Sequence, residues 1–170
     1  MFKLIHTLAI TSAAALALAS VQAQAGTTGT SFAVTATVVN SCVVNSASAM
    51  AFGNYDVNLG AVTSTSAINI NCTKSDTYTI ALNYGANGGS AANRIMANGT
   101  NLLDYNLFVD SGYANVWNST CGSGMNCDGG TGAGPGVGNA QSYTVYGKIP
   151  AGQNVPAGSY SDTITVTVTF

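Results

Sequence analysis

The C-terminal end of the chain carries the pattern that most restricts its fold. Every odd-numbered residue in 159–170 is serine or threonine, whereas Tyr160, Ile164, Val166, Val168 and Phe170 occupy even positions. Because successive side chains of a strand point to opposite faces, this alternation predicts a strand with one buried face. The predicted strand continues to the last residue of the sequence.

The segment 30–38, near the other end, repeats this pattern. Its even positions hold the apolar residues Phe32, Val34, Ala36 and Val38, and serine or threonine occupies most of the odd ones. Burial of a phenylalanine or valine side chain is worth about 1.5 to 3 kcal/mol, whichever domain provides the partner surface. The link from this strand to Cys42 consists of Asn40 and Ser41 alone, and a link that short does not readily let a strand fold back.

Short segments rich in Thr, Val, Ile, Tyr and Phe make up nearly every ordered part of the chain, and glutamate is absent. The predicted strands are 30–39, 49–52, 66–72, 77–83, 102–110, 142–149 and 159–170. Short strands at this spacing, separated by turns rich in Gly, Asn and Pro, are typical of an all-β, immunoglobulin-like sandwich of two sheets. The glycine-rich segment 122–138 is predicted to be a surface loop without regular structure.

Residues 1–25 are predicted to be a secretory signal peptide. Lys3 provides a positive start, an apolar stretch follows, and Ala23-Gln24-Ala25 forms an A-x-A cleavage site. No later stretch contains the roughly 18 to 20 apolar residues that a membrane-spanning helix requires. We therefore expect an exported, soluble single domain that begins at Gly26, with an N-terminal strand at 26–39 and a folded domain at 40–170.

The chemistry available to the mature chain is narrow. The single histidine, His6, lies in the predicted signal peptide, and all six acidic residues are aspartates. Ser/His/Asp and Cys/His catalysis is therefore excluded, and the scattered aspartates are more typical of solvated turns than of a catalytic acid pair. With four basic residues in the whole chain, no patch is expected to hold nucleic acid. The sequence predicts no enzymatic activity, no catalytic or metal site and no cofactor.

Four cysteines, Cys42, Cys72, Cys121 and Cys127, form an even set with three alternative pairings. An exported chain is expected to oxidise them. Pairing of Cys42 with Cys72 is favoured because they flank segments predicted to be neighbouring strands, and Cys121 with Cys127 because they span the glycine-rich loop. The spacings lack the paired C-x₂-C pattern of zinc sites.

The lone tryptophan, Trp117, has Tyr113 nearby and is a candidate platform for stacking a sugar ring. A single tryptophan in a β-sandwich is more typical of a core or rim position. We therefore expect Trp117 to be structural.

Several motifs follow one another in a recognisable order. They are the alternating strand that ends in Cys42, F-G at 52–53, N-I-N-C at 69–72, Y-N-L-F-V-D at 105–110, Y-G-K-I-P at 146–150 and G-S-Y-S-D at 158–162 before the terminal alternating run. In these motifs the chain resembles the subunits of archaic chaperone–usher pili, the Csu-type pilins, whose domain is also called the spore-coat-U-type domain. The resemblance covers essentially the whole mature chain, and the terminal motif is its most specific part.

The resemblance implies an immunoglobulin-like fold that lacks one strand, so that a groove lies open beside the C-terminal strand. By position, the donor-strand residues would be Phe32, Val34, Ala36 and Val38, and the acceptor-groove residues would be Ile164, Val166, Val168 and Phe170. A periplasmic chaperone would fill the groove first. At the outer-membrane usher, the N-terminal strand of an identical or related subunit would then replace the chaperone. Ala36 is smaller than the residue expected there, which leaves the donor register open by one step of two residues.

Two hypotheses from different classes remain at this point. In the first, the chain is a structural pilin of a head-to-tail surface fibre that supports adhesion and biofilm formation. In the second, it is a self-contained secreted, lectin-like binding domain whose N-terminal strand closes its own sheet. A folded monomer in the absence of a chaperone would favour the second. One domain with a donor strand fits a shaft or minor subunit better than a tip adhesin.

Overall fold

The structure, a computed structural model, describes residues 24–123, 125–131 and 140–170. The chain divides into two units, with the division after Ala36. Residues 1–23 of the predicted signal peptide lie outside the described residues, and so do Gly124 and residues 132–138 of the predicted loop 122–138. The prediction of a signal peptide therefore stays a prediction.

The unit Thr37–Phe170 is built from β-strands, and no helix occurs in the part of the chain that the structure describes. The strands are β1 (Cys42–Ala47), β2 (Val62–Cys72), β3 (Thr77–Leu82), β4 (Arg94–Asn98), β5 (Asn101–Phe108), β6 (Asp128–Thr131), β7 (Gln141–Ile149) and β8 (Val166–Thr169). This confirms the predicted all-β class. A search of the same residues finds no helix of the length and apolarity needed to cross a bilayer.

The strands form two sheets, and every pair is antiparallel. One sheet has the order β1-β2-β7-β5-β4 and the other the order β6-β3-β8. Alternate residues of β2, β3, β5 and β7 are buried and form one apolar core, as the period of two requires. Trp117 lies fully buried in this core, and its indole N–H donates to the Ile80 carbonyl at 2.8 Å. It is therefore a core residue and offers no platform for a sugar.

Several predicted strand bounds differ from those observed. Residues 49–52 belong to no strand, and the predicted strand 159–170 is reduced to β8 and one isolated bridge at Ser161. Both segments lack a continuous partner along one edge, which is why their alternation does not produce a full ladder. Strands β1 and β4 were not predicted, because neither CVVNSA nor RIMAN alternates apolar and polar residues along its length.

The prediction that 122–138 contains no regular element is wrong at one point. Residues Asp128–Thr131 form β6, which pairs with β3 from Tyr78 to Gly130 and from Ile80 to Asp128. A side chain at Gly129 would meet the Tyr78 carbonyl oxygen at 2.3 Å from its Cβ, so the close approach requires glycine. Strand β6 therefore forms because it pairs with β3, and not because its glycine-rich sequence favours a strand.

Two disulfides join the four cysteines. Cys42 and Cys72 lie opposite each other on β1 and β2, with Cα atoms 4.0 Å apart, and Cys121 is bonded to Cys127 six positions along the chain. The first fixes the start of β1 to the end of β2. The chain that enters β1 is thereby held at a defined place on the sheet edge.

The other unit is described from Gln24 to Ala36. It contains no strand and is exposed at every residue, including Phe32 at 85% and Val34 at 83%. The exposure continues through residues 37–41, where Val38 is 80% exposed. Residues 30–39, predicted to be a strand, therefore carry an alternating apolar pattern that is unburied in the single chain.

Candidate functional site: an open groove beside the C-terminal run

The C-terminal run 159–170 has a partner along one edge only. Within the described residues, β8 pairs with β3 and ends its sheet. Earlier in the run, Ser161 exchanges two backbone hydrogen bonds with Ala97, and Thr165 is bonded to Asn83 through both its N–H and its carbonyl. These bonds all involve odd-numbered residues of the run. Because backbone groups alternate in direction along an extended chain, those of Asp162, Ile164 and Val166 point to the opposite edge.

The segment that follows β1 forms the facing wall of a groove. It is tethered to β2 by serine side chains: Ser64 Oγ donates to the Ala51 carbonyl at 2.7 Å, and Ser66 Oγ donates to the Ser48 carbonyl. These side-chain contacts replace a regular ladder. They hold the segment in place without making it a strand.

Gly147 on β7 makes room for the apolar side chains of this wall. A Cβ at position 147 would lie 2.2 Å from Met50 Sδ and 2.8 Å from Phe52 Cζ. The ring of Phe52 also packs edge-on against Tyr105, with centroids 6.0 Å apart. Met50 and Phe52 therefore lie against the core and line the groove from the side opposite Ile164.

Between the two walls lies a cleft of about 480 Å³ that is open to solvent. It continues into a second stretch of about 740 Å³ between residues 50–57 and 155–160, and both stretches share Met50, Phe52, Met96 and Tyr160. The floor includes the buried core residues Ile68, Leu82 and Val145. A cleft that runs along an unpaired strand edge, over an apolar floor, is a place where a further strand can be added.

One polar side chain, Asp162, occupies the otherwise apolar face of the run. Its carboxylate accepts hydrogen bonds from the Tyr105 hydroxyl at 2.7 Å, the Ala86 N–H at 2.8 Å and the Asn87 side chain at 3.1 Å. Burial, and secondly the bond to Asp162, raises the pKa of the Tyr105 hydroxyl well above its ordinary value. Asp162 is thus a fixed polar point in the groove and not a solvated turn residue, which corrects the prediction made for the aspartates as a set.

Beneath this part of the groove lies a fully buried cation, Arg94. Its guanidinium donates to four oxygens, those of the Leu82, Asn83 and Trp117 carbonyls and Asn106 Oδ1, at 2.6 to 3.0 Å. Burial lowers the pKa of Arg94 from its ordinary value to about 10. Since Asn83 also binds Thr165, Arg94 supports the attachment of the C-terminal run.

Of the predicted acceptor residues, Ile164 and Val166 line this groove, whereas Val168 and Phe170 are not part of its lining. Ile164, Val166 and Val168 are half-buried and pack on the core, whereas Phe170 is 55% exposed. The predicted donor residues Phe32, Val34, Ala36 and Val38 are exposed, and none belongs to a strand. The structure thus contains an unfilled groove and an unburied alternating segment.

Sequence reasoning did not find the groove residues Met50, Met96, Tyr105 and Asp162. One usable signal existed, because Asp162 has the parity of Tyr160 and Ile164 and must therefore share their face. Tyr105 and Met96 had no such signal. Their place in the groove depends on the packing of the two sheets.

Two other residues considered from the sequence, Asp110 and Tyr113, make contacts typical of a turn and of a sheet surface. Asp110 accepts backbone N–H bonds from Ala114 and Asn115, which hold the pKa of its carboxyl below the ordinary value, as expected of a turn aspartate. Tyr113 packs edge-on against Phe108 and Tyr146 on the outer face of the sheet. Within residues 24–123, 125–131 and 140–170, no three or more His, Cys, Asp or Glu side chains form a cluster that could hold a metal ion.

Comparison with known proteins identifies a family and several similar proteins, among them the following two. The family model of the Spore Coat Protein U domain matches residues 28–167. Protein U of Myxococcus xanthus is 36% identical over 180 residues, an alignment that covers 95% of each chain.

A solved structure is also similar, with a TM-score of 0.49 and 27% sequence identity. It is the crystal structure of the CsuC-CsuE chaperone-tip adhesion subunit pre-assembly complex from the archaic chaperone-usher Csu pili of Acinetobacter baumannii. The match covers 79% of this chain, which spans 40% of the chain that it matches.

Proposed function

This chain belongs to the Spore Coat Protein U domain family, and on that premise we propose that it is a structural subunit of an archaic chaperone–usher surface pilus. The subunit polymerises when segment 26–39 of one copy completes the sheet of the next. It has no enzymatic role. Its mature form begins at Gly26, passes through the periplasm and becomes part of a fibre on the cell surface.

One observation carries this proposal: the same chain has an open groove along a free strand edge and an exposed segment with the pattern of the missing strand. The groove is lined by Ile164, Val166 and Phe52, among others. The segment offers Phe32, Val34 and Val38 at 80% exposure or more. Strand addition to a free edge provides main-chain hydrogen bonds and pockets for alternate side chains, which suits both features.

The alternative of a self-contained binding domain has less support. It requires the N-terminal strand to be buried in its own sheet, whereas Phe32 and Val34 are exposed. It also loses its candidate sugar platform, because Trp117 is buried. The structural role therefore explains more of the molecule.

The proposal assigns three partners. A second pilin subunit supplies the donor strand, a periplasmic chaperone covers the groove before assembly, and an outer-membrane usher is the place of exchange. A chaperone is needed because an open groove exposes apolar surface and unpaired backbone groups, which promotes aggregation. A head-to-tail contact that does not close produces a filament. Support of adhesion and biofilm growth is the biological role that we propose for this fibre.

The test compares three chains expressed in a periplasm with and without the cognate chaperone. The intact chain should form heat-resistant polymers. A chain that lacks residues 26–39 should remain soluble only as a complex with the chaperone. A self-complemented chain, in which residues 26–39 follow Phe170 through a short Gly-Ser linker, should be a folded monomer that needs no chaperone. If the intact chain purifies as a folded monomer without a chaperone, the proposal fails and the self-contained binding domain replaces it.

A further inference from the structure

We propose that Asp162 sets the register of strand exchange, because Ala36 of the incoming copy must lie over it. In this register, Phe32 faces Val166, Val34 faces Ile164 and Val38 faces Tyr160. The inference rests on the proposed function and specifies which residues of the two copies meet.

The groove presents a series of inward positions at the even-numbered residues from Tyr160 to Val168. All are half-buried, and Asp162 is the only polar one. The donor segment presents Phe32, Val34, Ala36 and Val38 at its own even positions. Because the two strands must place their apolar faces on the same core, only shifts of two residues are available.

The direction of the incoming strand follows from the sheets themselves. All strand pairs that the structure describes are antiparallel. Antiparallel pairing is also the more stable arrangement per residue. We therefore take the donor to run antiparallel to β8, so that donor positions rise as acceptor positions fall.

The carboxylate of Asp162 then discriminates between registers. Its oxygens are held by Tyr105, Ala86 and Asn87, so it cannot turn away from the groove without losing those bonds. A large apolar side chain placed over it would bury a polar group without offering a hydrogen-bond partner, which is costly. Shifts of two residues place Val34 or Val38 on Asp162, and a shift of four places Phe32 there. Ala36, the smallest apolar residue of the set, leaves the most space.

The opposite shift of four would place Asn40 on Asp162, a favourable polar contact. Asn40 lacks the freedom to reach a neighbour, because residues on both sides of it are bonded to Thr73 of their own domain. Thr73 Oγ1 lies 3.0 Å from the Ser41 N–H and 3.4 Å from the Val39 carbonyl, and the Thr73 N–H donates to the Ser41 carbonyl at 2.8 Å. The usable donor therefore ends at Val38. The register that places Ala36 on Asp162 is the one that remains.

Disulfide trapping between copies tests this register directly. The backbone groups of the odd-numbered residues of the run point toward Ala97 and Asn83 of their own domain. With a donor strand on the opposite edge, these residues would therefore form the closely spaced, non-hydrogen-bonded pairs. The Cα atoms of such pairs are about 4.5 Å apart, within the range of a disulfide, and a shift of two residues moves them beyond about 7 Å. Thr35→Cys combined with Thr163→Cys should give a covalent ladder after boiling without reductant. The matched controls, Thr35→Cys with Thr165→Cys or with Ser161→Cys, should give none.

A packing variant gives a second, independent readout. Ala36→Leu should lower the yield of heat-resistant polymer about tenfold through overpacking against Asp162. Ala33→Leu makes the same change on the outward face of the donor and should leave the yield unchanged. Equal yields of the two variants would show that Ala36 does not lie over Asp162.

The results of these experiments distinguish an error in the register from an error in the proposed function. Polymerisation of the unmodified chain tests the function alone. If polymers form but the ladder appears with position 165 or 161, or with none of the three, the register is wrong and the function stands. If the unmodified chain forms no polymer, the function and the register both fail.

Discussion

The two ends of this chain have the same alternating pattern and opposite environments. In the C-terminal run, Ile164, Val166 and Val168 pack on the core, while in the N-terminal segment Phe32 and Val34 are exposed. The alternation predicts in both places that one face is to be buried. It does not specify which molecule provides the other surface. The core of its own domain provides it for the C-terminal run, and the proposed function assigns it to a second copy for the N-terminal segment.

The difference arises from side-chain contacts and not from the pattern itself. The C-terminal run is attached through Ser161 to Ala97 and through Thr165 to Asn83, and Asp162 accepts three hydrogen bonds from other parts of the domain. Next to the N-terminal segment, the backbone of Val39 and Ser41 is hydrogen-bonded to Thr73, and the described residues before Val39 belong to no strand. The C-terminal run is therefore bonded to its own domain as one wall of the groove, whereas the N-terminal segment remains exposed.

The largest expected effect comes from the same substitution at both ends. Phe32→Asp should reduce polymer at least 100-fold, because it removes about 1.5 to 3 kcal/mol of burial and places a charge in an apolar groove. The domain itself should still fold as a chaperone complex. Ile164→Asp should abolish polymer and also lower the yield of folded chaperone complex, because Ile164 packs on the core of its own domain. Sedimentation and native electrophoresis measure both quantities.

The control for these variants is Leu59→Asp, which places the same charge at an apolar residue that is 67% exposed and lies outside the groove lining. It should polymerise as the unmodified chain does. If Phe32→Asp lowers the folded yield as much as Ile164→Asp, the N-terminal segment belongs to its own core and the contrast between the two ends disappears.

A second prediction concerns the support beneath the fixed end. Arg94→Met removes the donor to four buried oxygens, and at about 1 kcal/mol for each unsatisfied acceptor the domain should lose about 4 kcal/mol. Urea denaturation of the self-complemented chain measures this loss. Lys74→Met, a change at an exposed cation, should have little effect. Similar midpoints for the two variants would show that Arg94 contributes only apolar packing.

Arg94 also shows where sequence reasoning reaches its limit. The strands β2, β3, β5 and β7 were predictable because their buried residues recur with a period of two. Nothing in the sequence around residue 94 distinguishes a buried arginine from an exposed one. Its role depends on carbonyl groups at Leu82, Asn83 and Trp117, which are brought together only by the packing of the two sheets.

The groove was predictable in part. The C-terminal wall followed from the alternation at 159–170, and its openness followed only from the family resemblance. The facing wall at 49–52 was expected to be a strand, but its serine tethers to β2 replace a ladder. Local pattern therefore identifies which face is apolar, whereas the partner on each edge is a property of the assembled sheets.

A third prediction compares the two disulfides. The bond between Cys42 and Cys72 closes 30 positions, and loop-closure entropy gives it about 3.5 kcal/mol, against about 2 kcal/mol for the six positions between Cys121 and Cys127. Replacement of each pair by alanine in the self-complemented chain should lower the unfolding free energy in that order. In the intact chain, loss of the first pair should also reduce polymer, because it loosens the point from which the donor segment leaves β1. An equal effect of both pairs on polymer yield would contradict this anchoring role.

The smallest expected effect concerns the hydrogen bond from Tyr105 to Asp162. Loss of the hydroxyl in Tyr105→Phe removes a bond to a charged acceptor and should cost about 1.5 kcal/mol near neutral pH. The pKa of Tyr105 is raised in the folded state, so its contribution is present below the ordinary tyrosine pKa of about 10 and is lost as pH rises above it. The gap in unfolding free energy between the unmodified and Tyr105→Phe forms of the self-complemented chain should therefore narrow between pH 8 and about pH 11. A gap that stays constant or widens over this range would contradict a raised pKa of Tyr105 in the folded state, and with it the buried, hydrogen-bonded position of this hydroxyl beside Asp162.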